Sequence, residues 1–185
     1  MKKKTKRRQR LPGDRKAGDN VARVIRVDHA GEFGAQRIYA GQLAVLGQSA
    51  AASAIRKMAR QEDEHLAAFE KLMIERHVRP TVLHPIWHLA GFLLGAATAA
   101  LGEKAAMACT VAVEDTIVEH YKKQIDRLGM DEKELKRLLE KFRADEDDHR
   151  KAGLEHGAED LPYYPALHAL IRAGSKTAIW LSERF

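Results

Sequence analysis

The sequence is poor in the features that would mark several protein classes. Cys109 is its single cysteine, so no intrachain disulfide can form, which fits a reducing compartment. No apolar stretch of leader type follows the basic residues at the start, so a secretory signal is not expected. The uncharged run over residues 86–101 is 16 residues, short of the ~20 that cross a bilayer as a helix. No alternation of period two marks a strand, so an all-α fold is predicted. The formal charge of +6 is local: residues 1–20 hold nine Lys/Arg and two Asp, a net of +7, and the remainder is close to neutral. With no basic face or reading motif beyond that stretch, nucleic-acid binding is excluded. Residues 1–20 read as a basic disordered arm, a solubilising tail or an attachment to anionic lipid headgroups. The remaining length suits one domain with a substantial core, residues 21–185.

What the sequence does hold is one spacing, twice. Glu62-Asp63-Glu64-His65 and Glu146-Asp147-Asp148-His149 are both Glu-x-x-His. Residues three apart share a helix face, so each pair points a carboxylate and an imidazole the same way. Glu32 lies 30 residues before Glu62, and Glu114 lies 32 before Glu146. The chain therefore repeats as Glu … Glu-x-x-His at an offset of 82 to 84 residues. Four carboxylates and two imidazoles so arranged are the ligand set of a di-iron or di-manganese site in a four-helix bundle.

A lone Glu-x-x-His is a weak signal; the periodicity around these two makes it strong. Ile55, Met58, Glu62, His65, Phe69 and Leu72 step by three and four, as do Leu135, Leu139, Phe142, Glu146, His149 and Gly153. The pairs thus fall in apolar seams that face partner helices. Ionised carboxylates there are costly unless paired, protonated or metal-bound.

Bundle helices are predicted over residues 21–46, 51–75, 103–128 and 131–156, the last capped by Asp131 after Gly129. Gly18-Asp19-Asn20 reads as a turn before the first. Gly31, Gly34 and Gly41 each weaken that helix by ~1 kcal/mol and suit the close approach of a neighbour. Asp28, four residues before Glu32, is either a partly exposed helix carboxylate or an acceptor orienting a ligand histidine. Tyr121, seven residues after Glu114 on the ligand seam, is either a hydrogen-bonded core residue or a carrier of a proton or electron. His120 beside it is a weaker candidate for such a role. The run 86–101 reads either as a buried connecting helix or as an interfacial one, with Trp87 at headgroup level and Phe92, Leu93 and Leu94 beneath. His84 and His88, with Pro85 between them and no nearby acids, are assigned to a surface or capping role. A last amphipathic helix is expected over residues 166–182, after the break at 161–165.

Several stretches resemble the demethoxyubiquinone hydroxylase family. They are residues 26–35 (Arg-Val-Asp-His-Ala-Gly-Glu-Phe-Gly-Ala), 37–42, 78–81, 106–114 and the chain end at 178–184. The resemblance covers residues 21–185 and implies a ferritin-like four-helix bundle with two additional helices. It places that family's iron ligands on Glu32, Glu62, His65, Glu114, Glu146 and His149, with Glu62 and Glu146 bridging two Fe ions per chain. It further implies an O2-dependent monooxygenase acting on the ring of a polyprenylated demethoxyubiquinol, in the penultimate step of ubiquinone biosynthesis. The reductant, quinol substrate or external donor, is left open. Such a substrate resides in the bilayer. The resemblance therefore implies a peripheral protein, on the cytoplasmic face of a bacterial cell membrane or the matrix face of the inner mitochondrial membrane. A homo-oligomer or a lipid-presenting partner protein is compatible with it. The competing readings are a ferritin-like iron-storage or peroxide-detoxifying protein, a manganese catalase, and a non-catalytic membrane-associated scaffold.

Overall fold

The structure, a computed structural model, describes residues 17–185, and all their regular structure is helical. The basic stretch 1–16 lies outside the described residues. The helices are α1 (Ala17–Leu46), α2 (Ala52–Glu75), α3 (His84–Ala100), α4 (Glu103–Arg127), α5 (Lys133–Glu155) and α6 (Tyr164–Ser182). A 3-10 turn, Ala158–Asp160, precedes α6.

Three boundaries differ from the sequence expectation, each for a local reason. Gly18, Asp19 and Asn20 are the first turn of α1 rather than a separate turn, and Arg23 donates to Asn20 Oδ1 across it (3.0 Å). Asp131 does not cap α5, which starts at Lys133. Its start is tied down instead by Glu132, whose carboxylate accepts two hydrogen bonds from Arg76 at the end of α2. Pro165 does not delay α6, because a proline in the first helical turn sacrifices no intrahelical bond.

Apolar contacts fix the directions of the helices. One cluster joins the start of α1 (Val21, Ile25), the end of α2 (Phe69, Met73), the end of α4 (Tyr121, Ile125) and the start of α5 (Leu135, Leu139, Phe142). A second joins the opposite ends through Tyr39, Ile55, Met58, Met107 and Val111. Helices α1 and α2 are therefore antiparallel, as are α4 and α5, while α2 and α4 run the same way. That topology requires a long crossover, which α3 supplies. Side chains such as Ile25, Phe69 and Leu139 are fully buried, each contributing about 1.5–3 kcal/mol. Together the two clusters close off the bundle above and below its middle layer.

Helix α3 lies against α1 with its backbone nearly touching. A Cβ at Gly95 would sit 2.0 Å from the Ile38 carbonyl oxygen, and one at Gly41 would sit 2.1 Å from that of Phe92. Gly41 is thus the glycine of α1 that most needs to lack a side chain. Small residues face inward from α3 (Gly91, Gly95, Thr98, Ala99), while Ile86, Leu89 and Leu93 are exposed. Of the three residues expected beneath a headgroup layer, only Leu93 is exposed. Phe92 packs under the Arg37 guanidinium, 5.5 Å from its ring centre, and Leu94 joins the buried group around Cys109. Trp87 is half-buried and donates to Ser182 Oγ at the end of α6 (3.0 Å). No described helix is long and apolar enough to cross a membrane.

Candidate metal centre

The middle layer between the two apolar clusters holds the six residues selected by spacing. Glu32, Glu62, His65, Glu114, Glu146 and His149 are each at most 3 % exposed. They form two overlapping groups whose ligand atoms lie within 4.8 Å of one another. One group is Glu32, Glu62, His65 and Glu146; the other is Glu62, Glu114, Glu146 and His149. Glu62 and Glu146 belong to both.

Each histidine turns Nδ1 inward. His65 Nδ1 is 3.1 Å from Glu146 Oε1 and 3.4 Å from Glu32 Oε2; His149 Nδ1 is 3.1 Å from both Glu62 Oε1 and Glu146 Oε2. Neither oxygen of Glu62 has a hydrogen-bond partner, nor has Glu114 Oε2. His149 Nδ1, although close to Glu62 Oε1, bonds to Glu146 instead. Orphaned buried carboxylate oxygens are costly. Here they converge with hard oxygen donors and two imidazoles, a set that suits divalent or ferric iron or manganese.

The electrostatics of the metal-free centre give the same picture. Burial, then the neighbouring Glu146 and Glu32, holds the Glu62 carboxyl well above the usual carboxylate range. Burial and Glu146 do the same to Glu114. Burial opposes the charged form of His65, but its hydrogen bonds to Glu146 and Glu32 outweigh this and push it up to about 10. Burial likewise opposes ionisation of Glu146, and the hydrogen bonds from His149 and His65 overcome it, lowering it to about 2. The layer thus retains protons that a cation can displace.

The two halves are also alike in their supports, and the pairs cross. Tyr39 of α1 donates to Glu114 Oε1 of α4 (2.8 Å), and Tyr121 of α4 donates to Glu32 Oε1 of α1. Each tyrosine lies seven residues after the glutamate of its own helix and serves the glutamate of the other. Burial, followed by the surrounding carboxylates, keeps both phenols protonated. Outward from the centre, His65 Nε2 meets Asp145 Oδ2 and His149 Nε2 meets Gln61 Oε1, both at 3.2 Å. Each partner immediately precedes the Glu-x-x-His of the opposite half.

Asp145, Gln61 and Tyr39 did not emerge from the sequence reading. Asp28, expected beside a ligand histidine, is instead buried between His120 Nε2 (3.3 Å) and the Gln124 amide, which donates to it (2.8 Å). Burial raises its carboxyl, against the pull of His120. Its place relative to Glu32 is that of Thr110 relative to Glu114, and Thr110 in turn meets Gln42 (3.4 Å). His120 therefore belongs to the support of α1 and has no contact with the six clustered residues. His84 stacks on Phe33 (3.7 Å) and neighbours His29, with His88 exposed next to it, all apart from the clusters.

Beside the centre, α1, α3, α4 and α6 line an open-sided apolar cavity of about 350 Å³. Trp87, Ala90, Leu94, Ile117 and Ile179 are among its walls. Ala35, Ile38 and Val113 line it too, and the same three residues line a smaller space that reaches Tyr39 and Glu114. The cavity therefore adjoins the carboxylate layer through one shared wall.

Helical architecture and the paired Glu/His clusters define a helical bundle of the ferritin-like class with a buried, carboxylate-rich cluster that could hold metal. The family model for the ubiquinone biosynthesis protein COQ7 matches residues 19–182, and the chain belongs to that family. It is 56 % identical over 176 residues to the 3-demethoxyubiquinol 3-hydroxylase of Rhodospirillum rubrum, covering 95 % of this chain and 83 % of that one. It is 53 % identical over 168 residues to the human mitochondrial NADPH-dependent 3-demethoxyubiquinone 3-hydroxylase, covering 89 % and 77 %. The mitochondrial 5-demethoxyubiquinone hydroxylase of Saccharomyces cerevisiae is 37 % identical over 179 residues, covering 88 % and 77 %.

Proposed function

We propose that the chain is a 3-demethoxyubiquinol 3-hydroxylase: it inserts one oxygen atom of O2 into the ring of a polyprenylated demethoxyubiquinol. The observation that carries this is the pairing of two overlapping buried Glu/His groups with an apolar cavity that shares a wall with them. Glu32, Glu62, His65, Glu114, Glu146 and His149 would hold two Fe ions, with Glu62 and Glu146 common to both. When bound, ferrous ions supply the electrons and open positions that activate O2.

The chain's own residues do the rest. Tyr39 and Tyr121 fix the outer carboxylates, Glu114 and Glu32, so that each keeps one orientation. The cavity takes the quinol with its ring toward Ile38 and Val113, the wall shared with the space at Glu114, and excludes water from that wall. Its apolar walls give a storage protein no advantage and suit an isoprenoid tail. Exposed Ile86, Leu89 and Leu93 of α3, with Leu170 and Trp180 of α6, would rest in the lipid interface. The protein would be peripheral on one leaflet, with the basic N-terminal residues as a second attachment. The remaining residues from α1 onward act as one ferritin-like domain.

Replacement of the shared glutamates tests this reading. Glu62→Gln and Glu146→Gln are expected to lose bound iron and hydroxylated product together while retaining helical content. Product formation at the unaltered rate in either variant would refute it.

A further inference from the structure

We propose that the two metal positions are unequal, with the position at Glu32 and His65 binding its ion more tightly than that at Glu114 and His149, because Asp145 backs one histidine and Gln61 the other. The inference rests on the two-ion reading above and goes beyond it.

Among the groups that touch the clustered residues, the outer partners of the two histidines are where the halves differ in charge. Both ligand histidines offer Nδ1 inward and Nε2 outward, at matching distances. Both outer partners come from the position before a Glu-x-x-His, each on the opposite helix. Their chemistry is different. Asp145 presents a carboxylate, which can only accept, so it holds His65 as the Nε2–H form with Nδ1 free to ligate. Gln61 presents an amide, which is neutral and offers an acceptor on one side and a donor on the other. A charge-assisted hydrogen bond is about twice as strong as a neutral one. It also pushes electron density through the ring to Nδ1, making His65 the better donor. The phenol supports are equivalent in the two halves, and Glu62 and Glu146 are shared.

Loss of such an outer partner costs 10–100-fold in metal affinity. Gln61 still accepts a hydrogen bond from His149, so the difference is smaller than full loss, and a single ion is expected to favour the Glu32–His65 position by roughly 3–10-fold. Two ions sharing two carboxylates repel each other, so even a symmetric centre would fill in two steps. The distribution of one ion, rather than the number of steps, is the discriminating quantity.

The test uses the full chain, metal-free, with one equivalent of Co(II) under argon. Proton NMR then reads the hyperfine-shifted, exchangeable imidazole N–H resonances, one for each ligated histidine. Asp145→Asn and Gln61→Glu assign them, since each variant changes the hydrogen bond of one ring. The wild type is expected to show one dominant resonance, the one that Asp145→Asn displaces. Both variants equalise the two outer partners and should bring the two intensities to within ~2-fold. Equal intensities in the wild type overturn the proposal, as does a dominant resonance that survives both substitutions. If Asp145→Asn fails to fold, Gln61→Glu carries the test alone: an unchanged distribution refutes the inference. No Co(II) uptake by the wild type overturns the metal reading itself, and this inference with it.

Discussion

Replacing Gly95 with alanine probes the crossing that shapes the cavity. Ordinary contact begins near 3.4 Å, and the new Cβ would meet the Ile38 carbonyl oxygen at 2.0 Å, a shortfall of about 1.4 Å. The obstacle is backbone: Ile38 C and Cα follow at 2.8 and 3.0 Å, so no rotamer change relieves the clash. Helix α3 must retreat from α1. Overpacking of this kind costs about 1–3 kcal/mol, and alanine's better helix propensity returns up to ~1 kcal/mol. A clash with backbone at this distance belongs to the upper part of that range, about 2–3 kcal/mol, so the net loss of about 1–2 kcal/mol should lower Tm by roughly 2–8 °C for a chain of this size. Gly41→Ala meets the Phe92 carbonyl oxygen at 2.1 Å on the same crossing. A single parting of the helices relieves both clashes, so the double variant should cost less than the sum of the two. Function follows the same geometry. Trp87, Ala90 and Leu94 of α3 wall the cavity, whereas the six clustered residues sit on α1, α2, α4 and α5. Gly95→Ala should therefore raise KM for a demethoxyquinol more than it lowers kcat. Thermal melts at constant metal content and steady-state kinetics measure both. A Tm equal to or above that of the wild type would refute the close approach.

Gly174→Ala gives the opposite contrast, because Gly174 lies at the cavity's edge and a Cβ there meets nothing within 4 Å. It should gain up to ~1 kcal/mol in stability from helix propensity while raising KM; a destabilised variant would contradict the open space. The metal-free protein should have a Tm that depends on pH with a definite sign. His65, raised to about 10, contributes stability that is complete below pH 6.5 and is lost as pH rises from 6.5 toward 10. The raised carboxyls of Glu62 and Glu114 act in the same direction above pH 4.5. Glu146, lowered to about 2, contributes stability that is lost as pH falls from 4.5 to 2. The metal-free Tm should therefore peak near pH 4.5 and decline on the alkaline side, more steeply above pH 6.5 where His65 joins the two glutamates, and a flat profile from pH 6.5 to 9.5 would count against these assignments. Tyr121→Phe and Tyr39→Phe each remove a donor to an outer carboxylate. Two ions should remain bound while turnover falls about tenfold or more; unchanged turnover would dismiss the phenols from the mechanism.

The sequence made the inner layer legible because burial and helical spacing are local properties. Glu62 and His65 share a face with Ile55, Met58 and Phe69 whatever they pack against, so their inward aim could be read from one helix. Asp145 and Gln61 could not be found that way. Their partners lie on another helix, and a lone Asp or Gln beside Glu-x-x-His looks like any solvated residue. Tyr39 did leave a trace. It follows Glu32 at the same interval as Tyr121 follows Glu114, and the repeat applied to that interval would have singled it out. Asp28 was misread because being one turn from Glu32 fixes its face but not its partner, which Gln124 and His120 of α4 supply. The run 86–101 offered two alternatives, buried connecting helix or membrane-interface helix; α3 is a connecting helix packed on α1 by one face only, with Ile86, Leu89 and Leu93 exposed on the other. Its glycines, Thr98 and Ala99 pack inward and its large residues point out, an inversion of the usual pattern that residue type alone obscures.

The central claim is that Glu32, Glu62, His65, Glu114, Glu146 and His149 hold two iron ions that oxygenate a quinol ring. Its most direct test is anaerobic loading of the metal-free chain with Fe(II), followed by exposure to isotopically labelled O2 with a short-tailed demethoxyquinol. The account predicts two irons per chain and a product carrying one labelled oxygen atom. Failure to take up iron, or two irons that oxidise without any hydroxylated product, would contradict it.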